Sequence, residues 1–325
     1  MVWGLLTALG ISVLVNLGLW GAYQSYFQTD APIQEKFHSL SRHGRDKIAI
    51  VRVEGMITDG DGFVRQQIEQ ATKDPAVKAV VLRVDSPGGT VAGSDSIYHQ
   101  LVQMVEDTEM PLVVSMGGLA ASGGYYVSMA VGDEPNTIYA EPATWTGSIG
   151  VIIPHYNVAG LMQEWKIEED SVKSHPLKQM GSPTRPMTEQ ERAIFQGLVD
   201  DFFTRFKDII KKGRPRFAEH PEELDAVATG QVFTTNQSIA NGLVDREGFL
   251  EHAIERAAEL ADLDVEKVRA VQYQRQLGLL DTILLGPQGN ASITDSLTAA
   301  MNLSAPRAYY LSSWLPSVLS SPRAE

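Results

Sequence analysis

The sequence predicts an α/β protein, a mostly parallel sheet flanked by helices, behind an N-terminal transmembrane helix. Three observations predict it. Short apolar runs alternate with amphipathic ones from residue 47 to about 260, the pattern of strands covered on both faces by helices. Two glycine-rich turns, DSPGGTVAG at 85–93 and GGLAASGG at 117–124, each stand where a strand should end. No charged side chain occurs before Asp30.

Residues 1–28 read as a membrane anchor. Their apolar stretch, 3–27, exceeds the roughly 20 residues that a helix needs to span the hydrocarbon layer. Trp3, Trp20, Tyr23 and Tyr26 stand where interfacial anchors would. No Lys or Arg precedes the stretch and no small-residue cleavage site closes it, so an uncleaved anchor fits better than a signal peptide. Residues 29–46 are polar and read as a linker. Lys36, Arg42, Arg45 and Lys47 follow the anchor; by the positive-inside tendency alone they would place the rest of the chain in the cytoplasm.

A single domain is expected over 47–277. Strands are predicted at 47–57, 77–87 and 111–116, and helices at 62–74 and 93–108, the second with Ile97, Leu101, Met104 and Val105 on one face. A short helix follows Ser122, then the runs NTIYAE at 136–141 and TWTGSIGVII at 144–153, then a helix around 157–165. Three prolines within 174–187 exclude one regular helix there. Thr188 and Glu191 fit a capping box. Ile194, Leu198, Phe202, Phe206 and Ile210 follow at intervals of four, a stripe made for a packed core or a subunit face. Strand, helix and turn are predicted in 230–248, and a helix after it. From about 278 the periodicity is lost, and 278–325 read as a flexible tail.

Composition narrows the function. A net charge of −13 and a pI near 5.0 disfavour a nucleic-acid partner. The absence of cysteine excludes disulfides, thiolate metal sites and a Cys nucleophile. There is no H-E-x-x-H, no tight His/Asp/Glu cluster and no P-loop, so no metal or cofactor is expected. The seven histidines are scattered, which leaves a Ser-His-Asp triad open, since its members need not be close in sequence. AASGG is not the G-x-S-x-G elbow, because Ala120 takes the place of its first glycine.

The two glycine turns hold the chemistry. Open α/β sheets bind ligands at the C-terminal ends of their strands. There the N–H groups of Gly89 and Gly123 can converge on an oxyanion while Ser122 attacks the carbonyl beside them. Each donor of this kind is worth about 2.7–4 kcal/mol in the transition state. A glycine turn can also be purely structural; two such turns on successive strands point to a site. The small residues around Ser122 fit small or apolar side chains at the cleavage position. A lysine can act as the base if burial lowers its pKa from the ordinary value of about 10.4. Lys173 and Lys178 are the candidates, although most lysines are solvated surface residues.

Five ordered runs carry a family resemblance. DSPGGTVAGSDSIYHQL, VVSMGGLAASGGYYVSMA, TGSIGVI, VKSHPLKQMGSPTRPMTEQER and GQVFTTNQSIANGLVD resemble the signal peptide peptidase A (SppA) family of Ser–Lys serine peptidases, in its short single-repeat form. The resemblance covers roughly 46–260. It implies a ClpP/crotonase-like α/β fold, a membrane anchor, a ring-like homo-oligomer and no cofactor. It also implies cleavage of remnant signal peptides or other membrane-associated peptides. Ser122 matches the nucleophile and Lys178 the general base, which makes Lys173 non-catalytic. Gly89 and Gly123 match the oxyanion-hole donors, and Ser148 matches the hydroxyl that positions the lysine. Gln179 stands where short members often carry an acidic residue, and the loop at 131–136 is a little longer than usual. The family's catalytic domain is extracytoplasmic, against the reading of the four basic residues. Two rivals remain in view: a crotonase-like acyl-CoA hydratase or isomerase, which would use a carboxylate where Ser122 and Lys178 stand, and a non-catalytic membrane scaffold, which would not need the full set of site residues.

Overall fold

The computed structural model describes residues 33–275 and 308–311, with scattered helical positions between 4 and 23. Most of the expected anchor at 1–28 and most of the tail at 278–325 lie outside the described residues. Among the described residues no helix is long and apolar enough to cross a membrane. The chain divides into two compact units, 1–34 with 274–289 and 35–273 with 290–325, and the second contains the candidate site.

In chain order the elements are β1 (Ile33–Leu40), β2 (Lys47–Glu54), α1 (Phe63–Lys73), β3 (Val77–Ser86), β4 (Gly88–Thr90), α2 (Val91–Thr108), β5 (Leu112–Ala121) and α3 (Gly123–Ser128). There follow β6 (Ile138–Ala140), β7 (Trp145–Gly147), α4 (Ala159–Glu164), α5 (Glu189–Gly213), α6 (Pro215–Glu219) and α7 (Pro221–Val227). The last are β8 (Val232–Thr234), α8 (Thr235–Ala240), β9 (Arg246–Glu247), α9 (Leu250–Leu260), β10 (Arg269–Arg275) and β11 (Tyr309–Leu311).

Along one path the main sheet runs β1-β10-β2-β3-β5-β6-β9. The pairs from β10 to β9 are parallel. Parallel strands need coverage on both faces. In β2, Ile48 and Ile50 pack with Ala253, Ile254 and Ala257 of α9, while Ala49, Val51 and Val53 between them are also buried. The side of β2 facing β10 runs out of strand near Arg52. There the buried side chain of Gln67 from α1 accepts from Arg52 N at 2.9 Å and donates to Arg52 O at 3.0 Å. A side chain thus does the hydrogen bonding of a missing strand.

Several expectations are revised. Residues 33–40, read as linker, form β1 beside β10, and Lys47 ties this edge together through Glu35 at 2.6 Å and Asp74 at 2.7 Å. The strand at 111–116 extends to Ala121, because its glycine-rich second half pairs with β3 on one edge and β7 on the other. On that second edge β6 pairs Val114–Met116 and β7 takes over at Leu119–Ala121. β10 was not anticipated; its partner β2 lies far earlier in the chain. The tail holds one described strand, β11, which pairs antiparallel with β4 in a sheet of two strands.

The capping box of α5 is present in full. Glu191 N donates to Thr188 Oγ1 at 3.2 Å and Thr188 N to Glu191 Oε2 at 2.9 Å. The apolar stripe is buried only at its C-terminal end, at Phe206 and Ile210, whereas Leu198 is 40% exposed.

Candidate active site

Ser122 stands between β5 and α3 with φ 55°. Few residues other than glycine occupy that region. Two backbone bonds hold it there: Ser122 N donates to Gly147 O at 2.7 Å, and Tyr126 N donates to Ser122 O at 2.9 Å. Its side chain is 1% exposed in the folded chain, yet Oγ has no hydrogen-bond partner. A backbone held in a sparsely populated region, with a buried free hydroxyl, is how strain is stored at functional sites. The lack of bulk nearby is enforced: a Cβ on Gly124 would lie 2.8 Å from Ser86 O.

The second turn arrives from β3. Ser86 Oγ accepts from Gly88 N at 3.1 Å and donates to Gly55 O at 2.6 Å, which pins the turn. Gly88 has φ 94°, and a Cβ there would lie 2.6 Å from Gly123 N. A Cβ on Gly89 would lie 1.8 Å from Ile57 O, and one on Gly123 would lie 3.1 Å from Gly89 N. The expected donors Gly89 and Gly123 therefore stand side by side. Ile57 N donates to Gly88 O at 2.9 Å and Thr90 N to Ile57 O at 2.8 Å, so Gly89 directs its own N–H to the opposite edge. Gly123 opens α3, where an N–H has no intrahelical acceptor.

Ser148 enters from the neighbouring strand. Ala121 pairs with Gly147, so Ser122 and Ser148 leave β5 and β7 at matching positions. Ser148 is buried, with φ 50°, and its N donates to Gln231 O at 2.7 Å. Lys178 is placed differently. It is exposed, on the 3-10 turn Pro176–Gln179, and among the described residues it makes no hydrogen bond to Ser122. Lys173 donates instead to Gln179 Oε1. The chain by itself gathers Ser122, Gly89, Gly123 and Ser148, and leaves Lys178 apart.

An aromatic pocket beside the site was not foreseen. Tyr126 lies 5.5 Å from Tyr98, 5.1 Å from Phe206 and 5.0 Å from Tyr310, between ring centroids. Tyr126 OH donates to Asp95 Oδ1 at 2.6 Å, and Arg205 Nη2 holds both oxygens of Asp95, at 2.7 and 2.9 Å. Burial, with the Asp95 carboxylate second, pushes the Tyr126 phenol far up, so it stays protonated. In sequence, Tyr126 and Phe206 read as ordinary core residues, and nothing marks Tyr310.

A serine on a strained strand-to-helix turn, facing two adjacent glycine N–H groups at the ends of parallel strands, defines an acyl-transfer site on an α/β sheet. Comparison with known proteins gives the family. Residues 105–264 match the family description Peptidase family S49. The chain is 35% identical over 259 residues to a Synechocystis protein whose name marks it as a protease, covering 78% of this chain and 90% of that one. It is 34% identical over 282 residues to Protease 4 of Salmonella typhi, covering 84% of this chain and 42% of that one. To the chloroplastic serine protease SPPA of Arabidopsis thaliana it is 32% identical over 257 residues, covering 75% of this chain and 37% of that one. The chain belongs to peptidase family S49, the serine peptidases of the SppA type. It spans about two-fifths of the length of the Salmonella and Arabidopsis relatives.

Proposed function

We propose that the protein is a membrane-anchored serine endopeptidase that cleaves remnant signal peptides or other membrane-associated peptides with a Ser122–Lys178 dyad. The observation that carries the reading is the buried, unpartnered Oγ of Ser122 beside Gly89 and Gly123. Neutral Lys178 takes the proton of Ser122 as Oγ bonds to the peptide carbonyl carbon. The carbonyl oxygen becomes an oxyanion, held by Gly89 and Gly123 N–H. Collapse breaks the C–N bond, and the Lys178 ammonium protonates the leaving amine. Water, activated by the same lysine, then hydrolyses the ester. Ser148 positions the lysine.

Lys178 must leave water to be neutral at its work. The segment that precedes it supports an association that would do this. Tyr156, Leu161, Trp165 and Val172 are all exposed, with Trp165 at 70%. Such a run on a single chain marks an interaction surface, in keeping with a ring-like homo-oligomer. The charge-free residues 1–29 support the anchor. The extracytoplasmic placement of the catalytic domain rests on the family resemblance, and protease accessibility in intact cells tests it; a domain shielded until lysis would reverse the orientation.

Ser122→Ala and Lys178→Ala are each expected to abolish cleavage of a fluorogenic peptide while circular dichroism and melting stay as in the parent. A fluorophosphonate probe is expected to label Ser122 alone. Full activity in either variant overturns the dyad.

A further inference from the structure

The groove beside Ser122 is already occupied by this chain. β11 lies antiparallel to β4, with Tyr309 opposite Thr90, Tyr310 opposite Gly89 and Leu311 opposite Gly88. Val91 N donates to Ala308 O at 3.2 Å, which makes Tyr309–Thr90 a pair without mutual hydrogen bonds. By the alternation of antiparallel strands, Tyr310–Gly89 is the pair whose N–H and C=O groups face each other. The Gly89 N–H, expected to hold the oxyanion, is thus turned to the carbonyl of Tyr310. The glycine geometry agrees: a Cβ on Gly88 would lie 2.1 Å from Tyr310 O and 2.6 Å from Gly123 N, so that carbonyl oxygen stands at the mouth of the two-donor cradle.

The other edge of β11 is held as well. Ile152 N donates to Tyr309 O at 3.0 Å, and Tyr309 N donates to Ile152 O at 2.9 Å. The strand is clamped between the two segments that border the site. This is β-strand addition, in which main-chain bonds hold a peptide and side-chain pockets select it. The selecting pocket is filled too. Tyr310 is fully buried, stacked on Tyr126 at 5.0 Å and tilted against Phe206 at 4.6 Å. Its hydroxyl donates to Phe202 O at 2.9 Å, so the pocket ends in an acceptor placed for a phenol.

We propose that this aromatic pocket is the subsite for the residue before the scissile bond, that it selects peptides with tyrosine there, and that the chain's own Ala308–Leu311 segment is a tethered ligand of this class which competes with external peptides. The proposal rests on the reading of Ser122 as nucleophile and adds the substrate class and its regulation. It revises the expectation of a small side chain at the cleavage position, which considered only the residues flanking Ser122. Competition follows because Gly89 cannot donate to two carbonyls at once and the ring space between Tyr126 and Phe206 takes one occupant. Discrimination follows because a site built to bond a hydroxyl leaves a buried acceptor unpaired when the hydroxyl is missing.

The test uses the full chain in detergent, with Tyr310→Ala, Ser122→Ala and the double variant. The substrates are fluorogenic peptides that differ only in Tyr, Phe, Ala or Asp before the scissile bond. The Tyr peptide is expected to be cleaved with at least tenfold higher kcat/KM than the Ala peptide. Tyr310→Ala is expected to lower the apparent KM for the Tyr peptide at least threefold with kcat unchanged, as the internal competitor is withdrawn. The blocked peptide Ala-Tyr-Tyr-Leu is expected to bind the Ser122→Ala, Tyr310→Ala variant by calorimetry, at least tenfold more tightly than Ala-Tyr-Ala-Leu and more tightly than it binds Ser122→Ala alone. If the parent cleaves peptides, Ser122→Ala does not, and neither the Tyr preference nor the KM shift is found, the proposal fails while the Ser122 reading stands. If Ser122→Ala cleaves like the parent, that reading fails, and equal binding of the two tetrapeptides then rejects the pocket independently of catalysis.

Discussion

Ser122, Gly88 and Ser148 all carry positive φ, at 55°, 94° and 50°. Three such residues within one site show that the backbone here is shaped for chemistry rather than for comfort. Glycine at 89 is required by a close approach, since Ile57 O occupies the space a Cβ would need. Gly89→Ala must therefore displace the donor from the cradle. Its kcat is expected to fall about 10²–10³-fold, the cost of one oxyanion donor. Steady-state kinetics on the fluorogenic peptide check this, and retention of more than a tenth of the parental kcat would argue against Gly89 as a donor.

At the scale of the element, α5 depends on its first turn. Arg185 and the Thr188 N–H hold the Glu191 carboxyl well below its ordinary value of 4.5, at about 2. A depressed carboxylate contributes stability that is complete above its unfolded pKa and is lost as pH falls through the folded one. The contribution of Glu191 is therefore full at neutral pH and disappears between about 4.5 and about 2. Glu191→Gln is expected to melt below the parent at pH 7, with the gap closing as the pH nears 2. Thermal melts across that range check it; a gap independent of pH would assign the effect to packing. The capping box was legible in the sequence because its partners lie three residues apart. β5 was only half legible, since GGLAA lacks the side chains that signal a strand and is held by neighbours on both edges.

For the whole molecule, the question is how Lys178 reaches Ser122. The exposed apolar face from Tyr156 to Val172 precedes the lysine and has nothing to cover it within the described chain. Trp165→Glu is expected to lower the assembly state in sedimentation experiments and to reduce peptide cleavage with it, while the melting of the core is unchanged. A variant that stays assembled and fully active would detach this face from the site. The net charge of −13 is no obstacle to such an apolar contact, because the segment's exposed large side chains supply the surface to be buried.

What the sequence by itself determined is local. Periodicity, caps and glycine turns identify the helices, most of the central strands and the residues Ser122, Gly89, Gly123 and Ser148, because each signal lies within a few neighbouring positions. The tertiary structure alone decided the long-range pairings. It set β1 and β10 on the sheet edge, put Gln67 in place of a strand, and brought Tyr310 from the tail into the groove. Such pairings are set by which backbone N–H and C=O groups remain open after the core has closed, and by which pocket a side chain fills. Neither is written in the residues next to it.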